Sequence, residues 1–423
     1  MDFINKIFKG DKVIWMIFAI LCVISIIEVF SSASTLTYKS GDHLGPIIQH
    51  TRYLALGVVA MIIIQNIRYQ WFKLGAYLLM PISLIMLICA ILFGDNINGA
   101  NRWLSFFGIQ FQPSEIAKVA LVCFMALVLS RNQREDSADI KALYIIGAGT
   151  GLFAIVIAMD NLSTAILICA VAFAMLVIGR IKWWTMIKAL GVAIAGVLLL
   201  IGITITITTF VGKEKNPFGR VQTWVNRIVN HFDGDEKTLS IAEYFDKNGQ
   251  RGHANIAIGT SNIVGVGPGN SVQRDFLSQA FSDFIYAIII EELGLLGGGL
   301  VTLLYIMLLI RIYKISKQCQ DRFSIFLIIG IGLMLVSQAM INMMVAVEIL
   351  PVTGQPLPLV SKGGSSGIIN CVMIGMILSV SYFNQVDANK RKEIEESENV
   401  DNIPEAPQSK ILSEDEGFAD EKK

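Results

Sequence analysis

Several stretches of this 423-residue chain gather acids and bases at the edges of apolar runs. Ser282-Asp283-Phe284 opens one such run, and Glu291-Glu292 follow two turns later. An aspartate at that boundary suits general-base chemistry toward a hydroxyl. Asp283 and Glu291 are eight apart, so on one helix they would share a face about 12 Å apart by helical rise. The structural alternatives are an N-cap for Asp283 and interhelical hydrogen bonds for Glu291 and Glu292. A second stretch runs from Gly99-Ala-Asn-Arg-Trp103 to Gln112-Pro-Ser-Glu115 and Lys118. Arg102 offers a bidentate grip on phosphate. Glu115 and Lys118, three apart on one helix face, can pair or line a polar cavity. Pro113 in the first turn and Ser114 as cap mark the helix start. Asp160-Asn161 is a two-residue polar connection, read as a turn and cap or as further cavity lining.

Two glycine-rich segments frame these residues. Gly259-Thr-Ser-Asn-Ile-Val-Gly-Val-Gly-Pro-Gly-Asn-Ser271 has no Lys-Ser/Thr after its glycines, so it is not a P-loop. It reads as backbone turns shaping a groove. Pro351-Val-Thr-Gly-Gln-Pro-Leu-Pro-Leu-Val-Ser-Lys-Gly-Gly-Ser-Ser366 lies between two apolar runs, where irregular backbone must be buried in protein or line a cavity. Lys362 there would add positive charge for a diphosphate. Arg220 and Arg227, with Trp224 between them, suit an amphipathic helix at the membrane interface.

The elements that position these residues are membrane spans. Hydrophobic residues make up 54% of the chain and charged residues 16%, against roughly 25% charged in an average soluble chain. A water-facing surface cannot be built from that composition. Apolar runs near the 20 residues a bilayer crossing needs fall at about 14–32, 49–66, 74–93, 115–130, 142–159, 162–179, 184–210, 284–310, 323–348 and 366–383. The expected fold is therefore all-α and polytopic, with ten transmembrane helices. The short connections of one side hold eighteen Lys and Arg, those of the other only four: Lys39, Arg52, Arg102 and Lys362. That bias places both termini in the cytoplasm and the long loop 211–283, between spans seven and eight, outside. The chain divides into a cytoplasmic N-terminus (1–13), a membrane domain (14–385) and a tail (386–423).

The formal net charge is zero, and no basic face recommends nucleic acid. The zero is a cancellation, because residues 393–423 carry eleven acidic and three basic side chains and the rest of the chain carries the opposite excess. An acidic tail with Pro404 and Pro407 and few aromatics is expected to be disordered. The six cysteines fall in spans or, for Cys319, in a cytoplasmic connection, so no disulfide framework is expected. His43, His50, His231 and His253 all fall on the outer side and match no metal spacing.

Four blocks in this order resemble the SEDS family (shape, elongation, division and sporulation). They are Gly99-Ala-Asn-Arg-Trp-Leu with Gln-Pro-Ser-Glu-Ile-Ala-Lys118, Gly267-Pro-Gly-Asn-Ser-Val-Gln-Arg274, Ser282-Asp-Phe-Ile-Tyr-Ala with Glu-Glu-Leu-Gly294, and Pro351-Val-Thr-Gly through Gly-Gly-Ser-Ser366. The resemblance spans about 14–385, and the Gly-Asn-Ser-Val-Gln block is closer to the division branch than to the elongation branch. It implies a glycosyltransferase that polymerises lipid II (undecaprenyl-diphosphate-linked disaccharide peptide) at the outer face of the bacterial cytoplasmic membrane, during septal wall synthesis. A lipid II flippase, an elongation-type polymerase and a non-catalytic scaffold of the division machinery are the alternatives. The family's essential aspartate maps onto Asp283, with the base role. Arg102, Glu115 and Lys118 match motif positions lining the substrate cavity. Arg220, Lys362 and Ser365 are further substrate-binding candidates, and Asp160, Glu291 and Glu292 are supporting polar groups. The implied partners are a class B penicillin-binding transpeptidase and other membrane proteins of the divisome. No metal ligands are recognised, and a divalent cation as cofactor stays open. The chain departs from the pattern at Met-Asp-Asn-Leu-Ser-Thr164, where Pro-Asp-Leu-Gly-Thr is frequent, and at Lys362, which replaces a frequent tyrosine. Glu28 in the first span is also unusual.

Overall fold

The computed structural model describes residues 8–32, 45–97, 100–106, 109–134, 137–159, 161–192, 194, 196, 241–277 and 280–401. Its helices are α1 (Lys12–Ser32), α2 (Gly45–Gln65), α3 (Gln70–Phe93), α4 (Pro113–Asn132), α5 (Ile140–Ala158), α6 (Leu162–Ile178), α7 (Ile241–Thr260), α8 (Ile285–Gln318), α9 (Arg322–Ala346) and α10 (Ser365–Asp401). Among the described residues, eight of these are long and apolar enough to cross a membrane, and α6 is a shorter apolar helix. They correspond to nine of the ten expected spans. Of the remaining one, 184–210, the described residues are helical from 183 to 192, and most of the rest lies outside the described residues. The protein is thus a polytopic, largely helical membrane protein.

The bundle sorts its helices by how much lipid they meet. α4 is enclosed, with Ala117, Lys118, Val119, Ala120, Leu121, Val122 and Cys123 in succession all buried. A helix buried on every face belongs to the middle of a bundle, and α4 packs against α3, α9 and α5. α2, α3 and α5 instead expose Ile48, Val59, Ile63, Ile85, Leu92, Leu152 and Ile155. Such side chains are the natural lining of a hydrocarbon-facing surface.

An element the sequence reading lacks is a small antiparallel sheet between α3 and α4. Its strands β1 (Asp95–Ile97), β2 (Ala100–Phe106) and β3 (Ile109–Phe111) are ordered β1-β2-β3. Ile97 pairs with Ala100 and Phe106 with Ile109. The all-α expectation holds for the spans and needs this hairpin pair added. Residues Ala100–Trp103 of the Arg102 block lie in β2. α4 then starts at Pro113, its cap being Gln112 in extended conformation. Ser114 is therefore the second residue of the helix rather than its cap, because proline fills the first helical position, where no amide hydrogen is required.

α8 is not one straight span. Gly294 adopts φ 74° and ψ −175° within it, which breaks the helix. At the far end of α8, Arg311 makes two bonds to Asp11 Oδ2, 2.8 and 2.6 Å, tying it to the start of α1. Asp139 caps α5, accepting from Lys141 N at 3.2 Å. That bond, and then Arg134 Nη2 at 2.6 Å, hold the Asp139 carboxyl below its ordinary pKa.

Two compact units are present, Met1–Asn384 and Gln385–Lys423. In the second, the described residues 385–401 are helical. Asp387 before Arg391 and Lys392 before Glu396 are four-residue spacings that favour a helix.

Candidate functional site

The site is built around the non-helical segment 351–364. Carbonyls of such a segment at membrane depth must find donors inside the protein, and four of them are met by buried side chains of α1, α8 and α9. Asn342 Nδ2 of α9 donates to Gln355 O at 2.8 Å. Gln338 Nε2, one turn earlier, donates to Pro356 O at 2.9 Å. Tyr305 of α8 donates through its hydroxyl to Pro358 O. Ser25 of α1 donates to Val360 O at 2.7 Å. The Gln355 side chain itself reaches α6, with Nε2 at 2.6 Å from Thr164 Oγ1 and 3.5 Å from Asn161 Oδ1.

Behind Gln338 stands the ion pair of α4. Lys118 Nζ lies 2.8 Å from Glu115 Oε2 and donates at 2.8 Å to Gln338 Oε1. Lys118 is 0% exposed and Glu115 3%. Because a charge in such a place is stable only when paired, the two residues form a unit, and that unit ends on the backbone of 351–364 through Gln338.

The segment in turn clasps Asp283. Lys362 N donates to Phe281 O at 2.9 Å. Ser361 Oγ donates to Ser282 O at 2.6 Å and accepts from Leu357 N at 2.8 Å. Asn342 Nδ2 also donates to Asp283 O at 2.9 Å. Asp283 thus has its backbone fixed from two sides, while its half-buried carboxylate accepts from Ser282 Oγ at 2.9 Å. It does not cap α8, whose N-cap is Phe284. Gly354 adopts φ +67°, and a Cβ there would sit 3.6 Å from Asp283 Oδ2, so the segment passes directly over the carboxylate. Lys362 Nζ lies 5.3 Å from the Phe281 ring centroid, and burial holds its pKa below the ordinary lysine value. Ser365, the first residue of α10, accepts from Gln112 N at 3.3 Å and so joins α10 to the start of α4.

Of the two acids, Glu292 bridges helices as expected, tying α8 to Ser31 of α1, while Glu291 does not. Both hold the glycine-rich loop before Asp283. Glu291 accepts from Val272 N (3.0 Å), Gln273 N (3.3 Å) and Ser271 Oγ (2.5 Å). Glu292 accepts from Gly269 N (3.1 Å), Ser271 N (3.3 Å) and the Ser31 hydroxyl of α1. The same loop pairs with the break in α8. Val266 N and Gly267 N donate to Glu291 O and Glu292 O, and Leu295 N and Leu296 N donate to Asn262 O and Ile263 O. Gly265 and Gly294 both take φ +74°, and a Cβ on either would come within 2.4 Å or 2.3 Å of the other strand's backbone. Only glycine fits this crossing. Nearby, Arg274 Nη1 donates to Ser31 Oγ at 3.1 Å and lies 3.9 Å from Glu292 Oε1. Glu28, one turn before Ser31, is fully buried, and neither carboxylate oxygen has a hydrogen-bond partner among the described residues.

The description "Cell cycle protein", covering FtsW, RodA and SpoVE, matches residues 11–386 of this chain. The chain belongs to the FtsW/RodA/SpoVE family. FtsW relatives named "Probable peptidoglycan glycosyltransferase FtsW" include those of Coxiella burnetii and Haemophilus influenzae. The first is 31% identical over 79% of this chain and 86% of its own. The second is also 31% identical, over 89% and 91%. In three dimensions the chain is similar to a protein of a peptidoglycan synthase complex described for its coordination of polymerization and crosslinking (TM-score 0.66, 23% identity, 89% of this chain and 98% of that one). It is also similar to the rod shape determining protein RodA of Thermus thermophilus (TM-score 0.61, 21% identity, 88% and 96%).

Within this FtsW/RodA/SpoVE chain, the sequence-derived residues fall into three groups. Asp283, Glu115, Lys118, Lys362 and Ser365 are joined through segment 351–364 and the starts of α4, α8 and α10. Glu291 and Glu292 form a neighbouring cluster around the 265–274 loop. Arg220 and Asp160 lie outside the described residues, as does the side chain of Arg102, whose backbone sits in β2. Sequence reasoning missed Ser25, Thr164, Gln338, Asn342 and Gln355. A signal for two of them was present: Gln338 and Asn342 are isolated polar residues four apart, hence on one face of an apolar span.

Proposed function

We propose that this protein polymerises lipid II at the outer face of the cytoplasmic membrane, with Asp283 as general base. The acceptor's 4-hydroxyl attacks the anomeric carbon of the donor sugar, its proton passes to an Asp283 carboxylate oxygen, and undecaprenyl diphosphate leaves. The observation that carries this reading is the fixing of Asp283. Its backbone is held by Asn342 and, through Ser282, by Ser361, while the carboxylate stays half-buried beneath Gly354. A base held in this way loses little entropy when it meets a hydroxyl.

Lys362 and the N-terminus of α10, three residues later, bring positive charge to one place, where the diphosphate would gain most as it departs. Arg102 and Arg220 would extend that positive lining. Glu115 and Lys118 act from behind, by holding Gln338 and with it the segment over Asp283. Asp160, in the connection to α6, would stand next to Asn161, which already touches Gln355.

The Lys/Arg bias of the connections supports ten spans with both termini cytoplasmic and the loop 211–283 outside, which puts Asp283 on the side where wall is built. The relatives named FtsW support a septal role in cell division. The likeness to a synthase-complex subunit supports a class B penicillin-binding transpeptidase as partner, among other membrane proteins of the divisome.

The test is polymerisation of labelled lipid II by the purified full chain with its transpeptidase partner. Loss of a general base costs about 100- to 10,000-fold, so D283A should yield no detectable polymer while remaining folded. Polymer formed by D283A at the wild-type rate would overturn the assignment.

A further inference from the structure

The bond from Ser25 to segment 351–364 continues outward to a residue the site has not yet used. His50 of α2 and Ser25 of α1 meet at 2.8 Å, Nε2 to Oγ, and Ser25 Oγ reaches Val360 O at 2.7 Å. All three residues are enclosed, with exposures of 6%, 0% and 0%. Proton counting fixes the direction of this chain. A serine hydroxyl carries a single hydrogen, and the carbonyl of Val360 can only accept it. Ser25 Oγ must then accept from His50, so the imidazole carries its hydrogen on Nε2. The histidine therefore orients the serine, and the serine holds the carbonyl.

What is held is the tightest part of the segment. Val360 N and Ser361 N both turn back onto Leu357 O, at 3.2 and 2.9 Å. Leu359 adopts φ +66°, a left-handed conformation that a branched apolar residue rarely takes without being held. Immediately after it, Ser361 bonds Ser282 O and Lys362 N bonds Phe281 O, the two backbone links next to Asp283. Val360 O faces away from those links, toward α1 and α2.

We propose that His50 and Ser25 are positioning residues for the transferase reaction, a latch that keeps the 357–362 turn tight and so fixes Asp283. The proposal rests on Asp283 being the base. Neither residue touches substrate, and both act through Val360 and Ser361.

The experiment uses the full chain with its transpeptidase partner, labelled lipid II, and the variants H50F, H50Q, S25A and D283A. Glutamine can place an N–H donor where Nε2 stands, and phenylalanine keeps the ring but has no donor. Displacing a catalytic group slightly costs up to about 100-fold, so kcat should fall roughly 10- to 100-fold in S25A and H50F. KM should stay within about 2-fold, since transition-state positioning is lost and not uniform binding. H50Q should return kcat to within about 3-fold of wild type, a rescue that mere core packing would not give. S25A, a small-to-smaller change, carries the test if H50F does not fold. Wild-type kcat in S25A and H50F alongside a silent D283A would overturn the latch and leave the base standing. Rescue by H50Q no better than H50F would also overturn it. Full activity in D283A would overturn the base assignment and the latch with it.

Discussion

Replacing Lys118 by methionine separates two roles for the buried ion pair. In the structure the ammonium is shared between Glu115 at 2.8 Å and Gln338 at 2.8 Å, with no exposed surface. K118M keeps most of the side-chain volume and leaves the Glu115 carboxylate enclosed without its cation. Breaking a buried pair in this way costs about 3–5 kcal/mol. E115Q leaves the ammonium with a neutral neighbour and falls in the same range. The double variant E115Q/K118M removes both charges, and uncharged groups of similar shape often replace such a pair at little net cost. It should therefore be more stable than K118M alone. The assay is unfolding of the purified protein in detergent, across the full cycle of single and double variants. A double variant that loses the sum of the two single losses, within about 0.5 kcal/mol, would refute the coupling. Unchanged stability in K118M together with lost polymerisation would refute it differently, by showing a lysine that serves substrate and not the fold.

Three further outcomes are expected. G294A or G265A adds a Cβ within 2.4 Å of facing backbone at a φ of +74°. Strain of this kind costs at least about 1–3 kcal/mol, so the unfolding midpoint should drop in both. E291A removes the acceptor for Val272 N, Gln273 N and Ser271 Oγ. Hydrogen exchange at residues 271–273 should accelerate while α9 stays protected, and equal exchange would count against the carboxylate as the loop's anchor. Burial lowers the Lys362 pKa, so between that value and the ordinary lysine value of 10.5 the unfolded chain binds more protons than the folded one. Stability attributable to this group should rise as pH increases through that window. K362M should flatten the rise in an alkaline series of unfolding midpoints.

The spans were legible because apolar runs of bilayer length are a strong, local signal. The β1–β2 hairpin was not read, although Asn98-Gly99, the two residues between those strands, is the dipeptide that most favours a tight hairpin turn. Three-residue strands leave too little alternation to stand out beside twenty-residue apolar runs. The break at Gly294 was hidden for a different reason. Its cause is the approach of Gly265, and contacts between residues distant in sequence have no local signature. Glu291 and Glu292 were visible as buried acids, but their partners are mostly backbone amides, which every residue carries. For the same reason the polar residues that hold segment 351–364 look unremarkable singly. Ser25, Thr164, Asn342 and Gln355 acquire a role only once the fold brings a carbonyl or a side chain to each of them.

The enclosed position of α4 bears on how the chain is made. Pro113–Asn132 leaves the ribosome well before Gln338 and Pro356, the groups that complete the surroundings of its lysine. During synthesis this helix enters the bilayer carrying an acid and a base whose permanent neighbours do not yet exist. The pairing of Glu115 with Lys118 within one turn is what α4 has of its own in that interval. The ion pair that braces the mature site is thus also a travelling arrangement, closed locally first and joined to the rest of the protein when the last two spans arrive.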